Sequence, residues 1–316
     1  MSKRVVLFIA AIAIGAGIGL AIVLLGSTQD DFGLPLTRHT EHLEIHTDLE
    51  PGSLDHYVRV FEGFFDVFGE RFYKITQPRP LRMFLFSTGD GYLAFRNEHF
   101  PGKSTPYGFF SASRNLIVVN LSSGLGTATH ELVHHFCRVS FLRRPPVWVD
   151  EGFASFFEKF IGHLDKDGKL QISFGYYSNW RFPDTKSRLD TLSLRKLVAF
   201  TSADQGAARS VMLFLHRRGL LVKFINRARR GCRFDCLSEL SQVSGVDLGS
   251  FEREWKGWIA AQPIDRDVKM VPWAFVTTAE GFEDWWEQNK SWLEWSDEQQ
   301  RYLPRKTEAA DRPGKH

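Results

Sequence analysis

The chain has almost no excess charge of either sign: 40 Lys and Arg stand against 37 Asp and Glu, leaving +3 over 316 residues. The sequence pI of about 8.7 comes from scattered bases. No basic stripe interleaved with aromatics appears, and this excludes nucleic acid as a partner. Upstream of residue 126 no internal repeat or low-complexity block is visible. Cysteine is scarce, three residues in all, and none lies near the amino terminus, so a lipoprotein anchor is excluded there. What is present, 43% hydrophobic, 14% aromatic and 24% charged residues, is the balance of a folded globular protein. The length suffices for one large domain or two small ones with a well-buried core.

The longest uncharged stretch, Val5 to Gly26, follows Lys3 and Arg4 and runs for 22 residues. As a helix it reaches about 33 Å, enough to cross the hydrocarbon core of a bilayer. A cleaved signal peptide has a shorter apolar region and ends in a small-x-small site, whereas this stretch ends LLGSTQDD. We therefore expect a cytoplasmic stub (1–4), a retained single-pass transmembrane anchor (5–26) and a linker (27–40). Lys3 and Arg4 on one side, with Asp30 and Asp31 on the other, orient the amino end into the cytoplasm. The rest of the chain is then extracytoplasmic, in a periplasmic or extracellular space. Gly15 and Gly19 have the G-x-x-x-G spacing, which arises easily in a glycine-rich anchor and carries little weight for pairing. An oxidising compartment permits a disulfide between Cys232 and Cys236 in GCRFDC, two free thiols being the alternative.

The pattern of elements predicts an α+β fold. "HLEIHTDL" (42–49) and "LRMFLFST" (81–88) read as strands, and Ser53 to Phe72 as an amphipathic helix. "YGFFSASRNLIVVNL" (107–121) reads as a hairpin, and after it the period is helical almost throughout. The main domain is expected over 41–262. A Trp-rich appendage (263–316) follows, in which Phe282, Trp285, Trp292 and Leu293 fit one helical face. That stripe is expected to dock on the protein's own core, a partner or the membrane interface being the alternatives. From Lys306 the tail reads as disordered.

The chemistry concentrates in "GTATHELVHHF" (126–136). Residues four apart on a helix differ by only about 40° around its axis, so His130 and His134 can reach one ion. Glu131, turned about 100° from His130, stands beside that ion in the position of a general base on water. Thr127 or Thr129 is available as the helix N-cap. Cys137, three residues after His134, is expected to pack in the core. After the break "RRPP" comes "VWVDEGFASFFEKF", a second amphipathic helix that opens on a carboxylate pair. A catalytic zinc takes three protein ligands and keeps one open position. Sixteen residues lie between His134 and Glu151, enough for a turn that brings this carboxylate back as the third ligand. Gly152, Ala154 and Ser155 are small enough to let the second helix approach the first. Asp150, about 100° away, is expected at the helix start as a cap or behind one histidine, accepting its other ring N–H.

HELVHH followed by W-V-D-E-G-F-A resembles the gluzincin metallopeptidases, specifically the bacterial peptidase MA-like group. The two motifs carry the likeness, and a weaker one of pattern extends over about two thirds of the chain. The resemblance implies a zincin-type domain with Zn²⁺ on His130, His134 and Glu151 and with Glu131 as the catalytic base. It further implies a peptide or protein substrate that adds as a strand to a sheet edge beside the cleft. The hairpin ending in Asn115 to Asn120 is the candidate edge. That group often places a tyrosine at the start of the helix aligned with Gln205 to Leu215, where it stabilises the oxyanion, and here the position is glutamine. Tyr176 and Tyr177 are the candidates to replace it, core packing being their other role. The expectation is a membrane-anchored zinc peptidase. Its alternative is a tethered scaffold that binds zinc or peptide without cutting.

Overall fold

The computed structural model describes residues 32–177, 179–199, 204–232, 234–262, 275–291, 293–297 and 301–305. The chain divides into Met1–Leu34 and Pro35–His316, and every element described belongs to the second unit. The expected anchor, residues 5–26, lies outside the described residues, as do Trp273, Trp292 and the tail from Lys306. Among the described residues no helix is long and apolar enough to cross a membrane.

The first half runs β1 (Leu36–His39), β2 (Leu43–Thr47), α1 (Pro51–Arg71), β3 (Leu81–Phe86), α2 (Gly89–His99), β4 (Gly108–Ser111), β5 (Leu116–Asn120), a 3₁₀ turn (Leu121–Ser123) and α3 (Leu125–Ser140). Its five strands form one mixed sheet in the order β1-β2-β3-β5-β4. β2, β3 and β5 are parallel, and β1 and β4 join antiparallel at the two edges. β5 reads LIVVN and is buried throughout, the pattern of a strand covered on both faces. Alternation along β3 assigns the faces. Met83 and Leu85 join the core formed with α1 and α3, while Phe84 stacks on Phe95 of α2 at 5.5 Å and Phe86 meets the same ring, tilted, at 4.8 Å. Helix α2 had no counterpart in the sequence reading. Thr88 caps it by accepting from Gly91 N, and Tyr92 and Phe95 are its buried residues.

The expected edge hairpin stands at the border of the sheet. Its first arm, β4, is the outer strand, and its second arm, β5, lies between β3 and β4. The burial of β5 reflects the interior place, since an exposed edge seldom carries five consecutive buried residues.

The second half runs α4 (Val147–Phe156), β6 (Phe160–Leu164), β7 (Leu170–Phe174), α5 (Arg181–Ser187), α6 (Leu194–Ala199), α7 (Gln205–Arg217), α8 (Leu221–Arg229), α9 (Leu237–Ser244), α10 (Leu248–Ala261), β8 (Phe275–Thr277), α11 (Ala279–Asn289), β9 (Leu293–Ser296) and β10 (Arg301–Pro304). The expected helix over 147–160 ends earlier, at Phe156, and "EKF" leads into the β6–β7 hairpin. The close neighbour of Gly152 is α7 rather than α3: a Cβ there would stand 2.8 Å from Ala208 O. Cys232 and Cys236 form a disulfide with Cα atoms 5.0 Å apart. In the Trp-rich segment β8 pairs with β6. Phe282, Trp285, Trp286 and Tyr302 pack on Ile161, Tyr176 and Leu293, so this stretch covers the hairpin of its own unit. Leu293 belongs to β9 instead of continuing the helix, which stops at Asn289.

Candidate metal centre

Helix α3 carries the motif, and it starts one turn earlier than a threonine cap would place it. Gly124, at φ +90°, is the N-cap, a backbone conformation that suits glycine. Thr129 lies inside the helix, where its hydroxyl has Leu125 O and Gly126 O within reach and Phe157 O as the nearest acceptor at 2.9 Å, so it fastens α3 to the end of α4. The buried side of α3 holds Leu132, Val133, Phe136 and Cys137 in the main core. This fixes the rotation of the helix and with it the direction in which His130 and His134 project.

Among the described residues His130, His134 and Glu151 form a group able to hold a metal ion, with their donor atoms all within 4.8 Å of one another. The Nε2 atoms of the two histidines face each other at 3.0 Å. Glu151 places Oε2 3.5 Å from His130 Nε2 and Oε1 3.7 Å from His134 Nε2. An ion held tetrahedrally by bonds of ~2.1 Å separates its ligand atoms by about 3.4 Å, so the three donors fit a common ion. The far nitrogens are each backed by a carboxylate. His134 Nδ1 bonds Asp150 Oδ1 at 3.1 Å, and His130 Nδ1 meets Glu158 Oε1 at 3.1 Å without the alignment of a hydrogen bond. Such partners hold the imidazoles in the orientation that presents Nε2.

The electrostatics fit a cation as well. Burial pulls the His130 imidazole down, but the close carboxylates of Glu151 and Glu158, with the charge of Glu131, push it up to about 10. His134 is raised in the same way, Asp150 opposing burial and the charge of His130. Burial raises Glu151, yet the closeness of His130 and the charges of both histidines bring it down to about 2. Glu158 is also lowered, against its burial, by His130, Arg181 and Arg209. A cluster that drives its imidazoles toward the charged form is one in which carboxylates outnumber compensating cations, and a divalent ion supplies that charge.

Glu131 is held from the sheet: Phe110 N on β4 donates to its Oε2 at 2.8 Å. A cavity of about 810 Å³ opens beside it. Gly108 and Thr127 line it on the β4 and α3 side, together with His130 and Glu131, and Trp180, Arg181 and Gln205 line it as well. Neither Tyr176 nor Tyr177 is among the lining residues. Tyr176 is buried with its hydroxyl 2.8 Å from Ser173 Oγ and accepting from Tyr302 N, and Tyr177 lies against the Phe182 ring at 5.1 Å. Apolar packing has claimed both rings, the commoner fate of aromatics in such a stretch. Cys137 is buried, and its thiol, pushed up by burial, bonds Asp150.

Three residues of the centre escaped the sequence reading of the site. Glu158 comes seven residues after Glu151, two helical turns on, and is a lone carboxylate in the apolar run "SFFEKF"; that was its signal. Gln205 was visible only as a departure from a pattern, but its Nε2 donates to Glu151 Oε2 at 2.7 Å. Arg181 gave no signal at all. No protein-family model matches the chain, and no curated protein matches it.

Proposed function

We propose that the protein is a zinc-dependent peptidase of the gluzincin type, tethered by residues 5–26 with its body outside the cytoplasm. The observation that carries this reading is the convergence of His130 Nε2, His134 Nε2 and the Glu151 carboxylate. Glu131 stands on the same helix and is anchored to the border strand. His130, His134 and Glu151 would hold the zinc, which when bound supplies Lewis acidity toward a scissile carbonyl and makes water acidic near neutral pH. The substrate peptide lies extended along β4, whose outer side has no strand partner among the described residues. Phe110 N–H fixes Glu131 Oε2, so the carboxylate is oriented when it takes a proton from the attacking water. Glu131 then returns that proton to the leaving amine. Asp150 and Glu158 keep the imidazoles turned toward the ion throughout.

One observation favours the second reading, a scaffold that holds metal or peptide without cutting. Gln205 stands where the resembled group often has a tyrosine, and its amide is engaged by Glu151. Zinc analysis of the purified protein together with digestion of a broad peptide library decides between them. The peptidase reading requires about one zinc per chain and cleavage that Glu131→Gln abolishes while zinc is retained. Zinc without any cleavage by the wild type establishes the scaffold instead.

A further inference from the structure

Arg181 is the first residue of α5, and its start is fixed by Asn179, whose Oδ1 accepts from Arg181 N at 3.0 Å and Phe182 N at 3.1 Å. From there the guanidinium reaches in two directions. Toward α4 it forks onto Glu158, with Nη1 3.3 Å from Oε2 and Nη2 3.3 Å from Oε1. Toward α7, Nη2 donates to Gln205 Oε1. The two acceptors lead to different metal ligands. Glu158 backs His130 Nδ1, and Gln205 donates its other amide end to Glu151.

The approach of α7 that makes this possible depends on Gly206. A Cβ there would collide with Thr185 Oγ1 and stand 3.4 Å from Arg181 Cβ. The ring of Trp180 covers the guanidinium at 4.8 Å, and the Arg181 side chain is 22% exposed. We infer that Arg181 is a positioning residue of the metal centre: a single planar fork sets the orientation of His130 through Glu158 and of Glu151 through Gln205. The inference rests on the metal reading of the preceding section.

Two other roles compete for this side chain. It could anchor an anionic substrate group in the cavity, but its fork is already spent on Glu158 and Gln205. Four carboxylates, Glu131, Asp150, Glu151 and Glu158, crowd the two histidines, which makes the site a poor host for a further anion. It could instead act only as a charge. That role predicts the opposite sign from positioning: a cation near a divalent ion repels it, so its removal would tighten binding. A positioning fork predicts that removal loosens binding, and that lysine, which keeps the charge and loses the planar geometry, fails to restore it.

The test measures zinc affinity of the full-length protein in detergent, by competition with a chromophoric chelator, for wild type, Arg181→Lys and Arg181→Met. Both variants should bind zinc roughly 10-fold or more weakly, the size of effect expected when a ligand's outer partner is lost. Loading with cobalt(II) adds a readout that a merely structural residue would not move. The ligand-field bands of both variants should shift, because the ligands are reoriented, while circular dichroism shows the metal-free fold intact. Should Arg181→Met fail to fold, Arg181→Lys carries the test alone. Wild-type affinity and an unchanged cobalt spectrum in Arg181→Lys overturn the inference and leave the metal reading standing, as does tighter binding in Arg181→Met. A wild-type chain that takes up no zinc overturns both.

Discussion

Helix α3 carries three histidines whose two sides are electrostatic opposites. On the cleft side His130 is pushed up to about 10 by carboxylates that outweigh its burial. On the other side His135, adjacent to His134 in sequence, is brought down to about 4 by burial alone. Its Nε2 meets Gln77 Oε1 at 2.8 Å, its Nδ1 has no partner, and the rings of Phe110 and Phe136 lie 5.7 and 6.2 Å away. A rotation of about 100° separates a histidine suited to a cation from one that must stay neutral. Residue type and sequence neighbourhood therefore say little about the charge of an imidazole. What decides it is whether the facing wall offers carboxylates or rings.

The largest effect that can test this contrast is loss of a ligand from the cleft side. Glu151→Ala removes a donor and a charge facing both Nε2 atoms, and the site should then be empty at micromolar zinc by metal analysis. Full occupancy would mean that the carboxylate is not a ligand. The next effect lies on the core side and is read as stability against pH. The His135 pKa is lower in the folded chain, about 4, than its ordinary value near 6.5. Between those values the unfolded chain takes up a proton that the folded chain refuses. His135 thus leaves stability intact above about pH 6.5 and removes up to about 3 kcal/mol as pH falls toward 4. Denaturant melts of wild type and His135→Gln across that window should show a shallower loss in the variant; parallel curves would show that this imidazole is not held neutral. The smallest effect is Asp150→Ala. His134 keeps its place on α3 and loses only the partner of Nδ1, so zinc affinity should fall by roughly 10-fold, and by 100-fold at most. If this variant empties the site while Glu151→Ala does not, the roles of the two neighbours are reversed.

How much of this was legible depends on the range over which each feature is determined. The facing of His130 and His134 and the place of Glu131 beside them follow from helical geometry, and the structure has them so. The return of Glu151 could be anticipated because a proline break and a second helix give the chain one natural way back. Asp150 takes one of the two places its position at the helix start allows, behind His134. Which arm of the edge hairpin lies outermost was not legible, because the apolar run of β5 marks a strand without marking its neighbours, which are set by pairing with β3 and β4. Thr127 and Thr129 looked like caps because a local pattern cannot show that Thr129 is needed inside the helix, by Phe157 O. Arg181 and Glu158 meet across 23 residues of loop and hairpin. No periodicity connects such a pair, and only the folded chain brings them together.

Two glycines give the centre a property of another kind. A Cβ on Gly126, in the first turn of α3, would come within 2.6 Å of Glu158 O, and one on Gly152, the residue after Glu151, within 2.8 Å of Ala208 O. Backbone carbonyls in a packed core do not yield as side-chain ends do, so the missing methyl groups act as fixed spacers between helices. The dimensions of the cleft are therefore encoded partly in two positions that bind nothing. Natural or engineered variation that leaves every ligand untouched can still detune the centre, by tenths of an ångström, through a single added carbon.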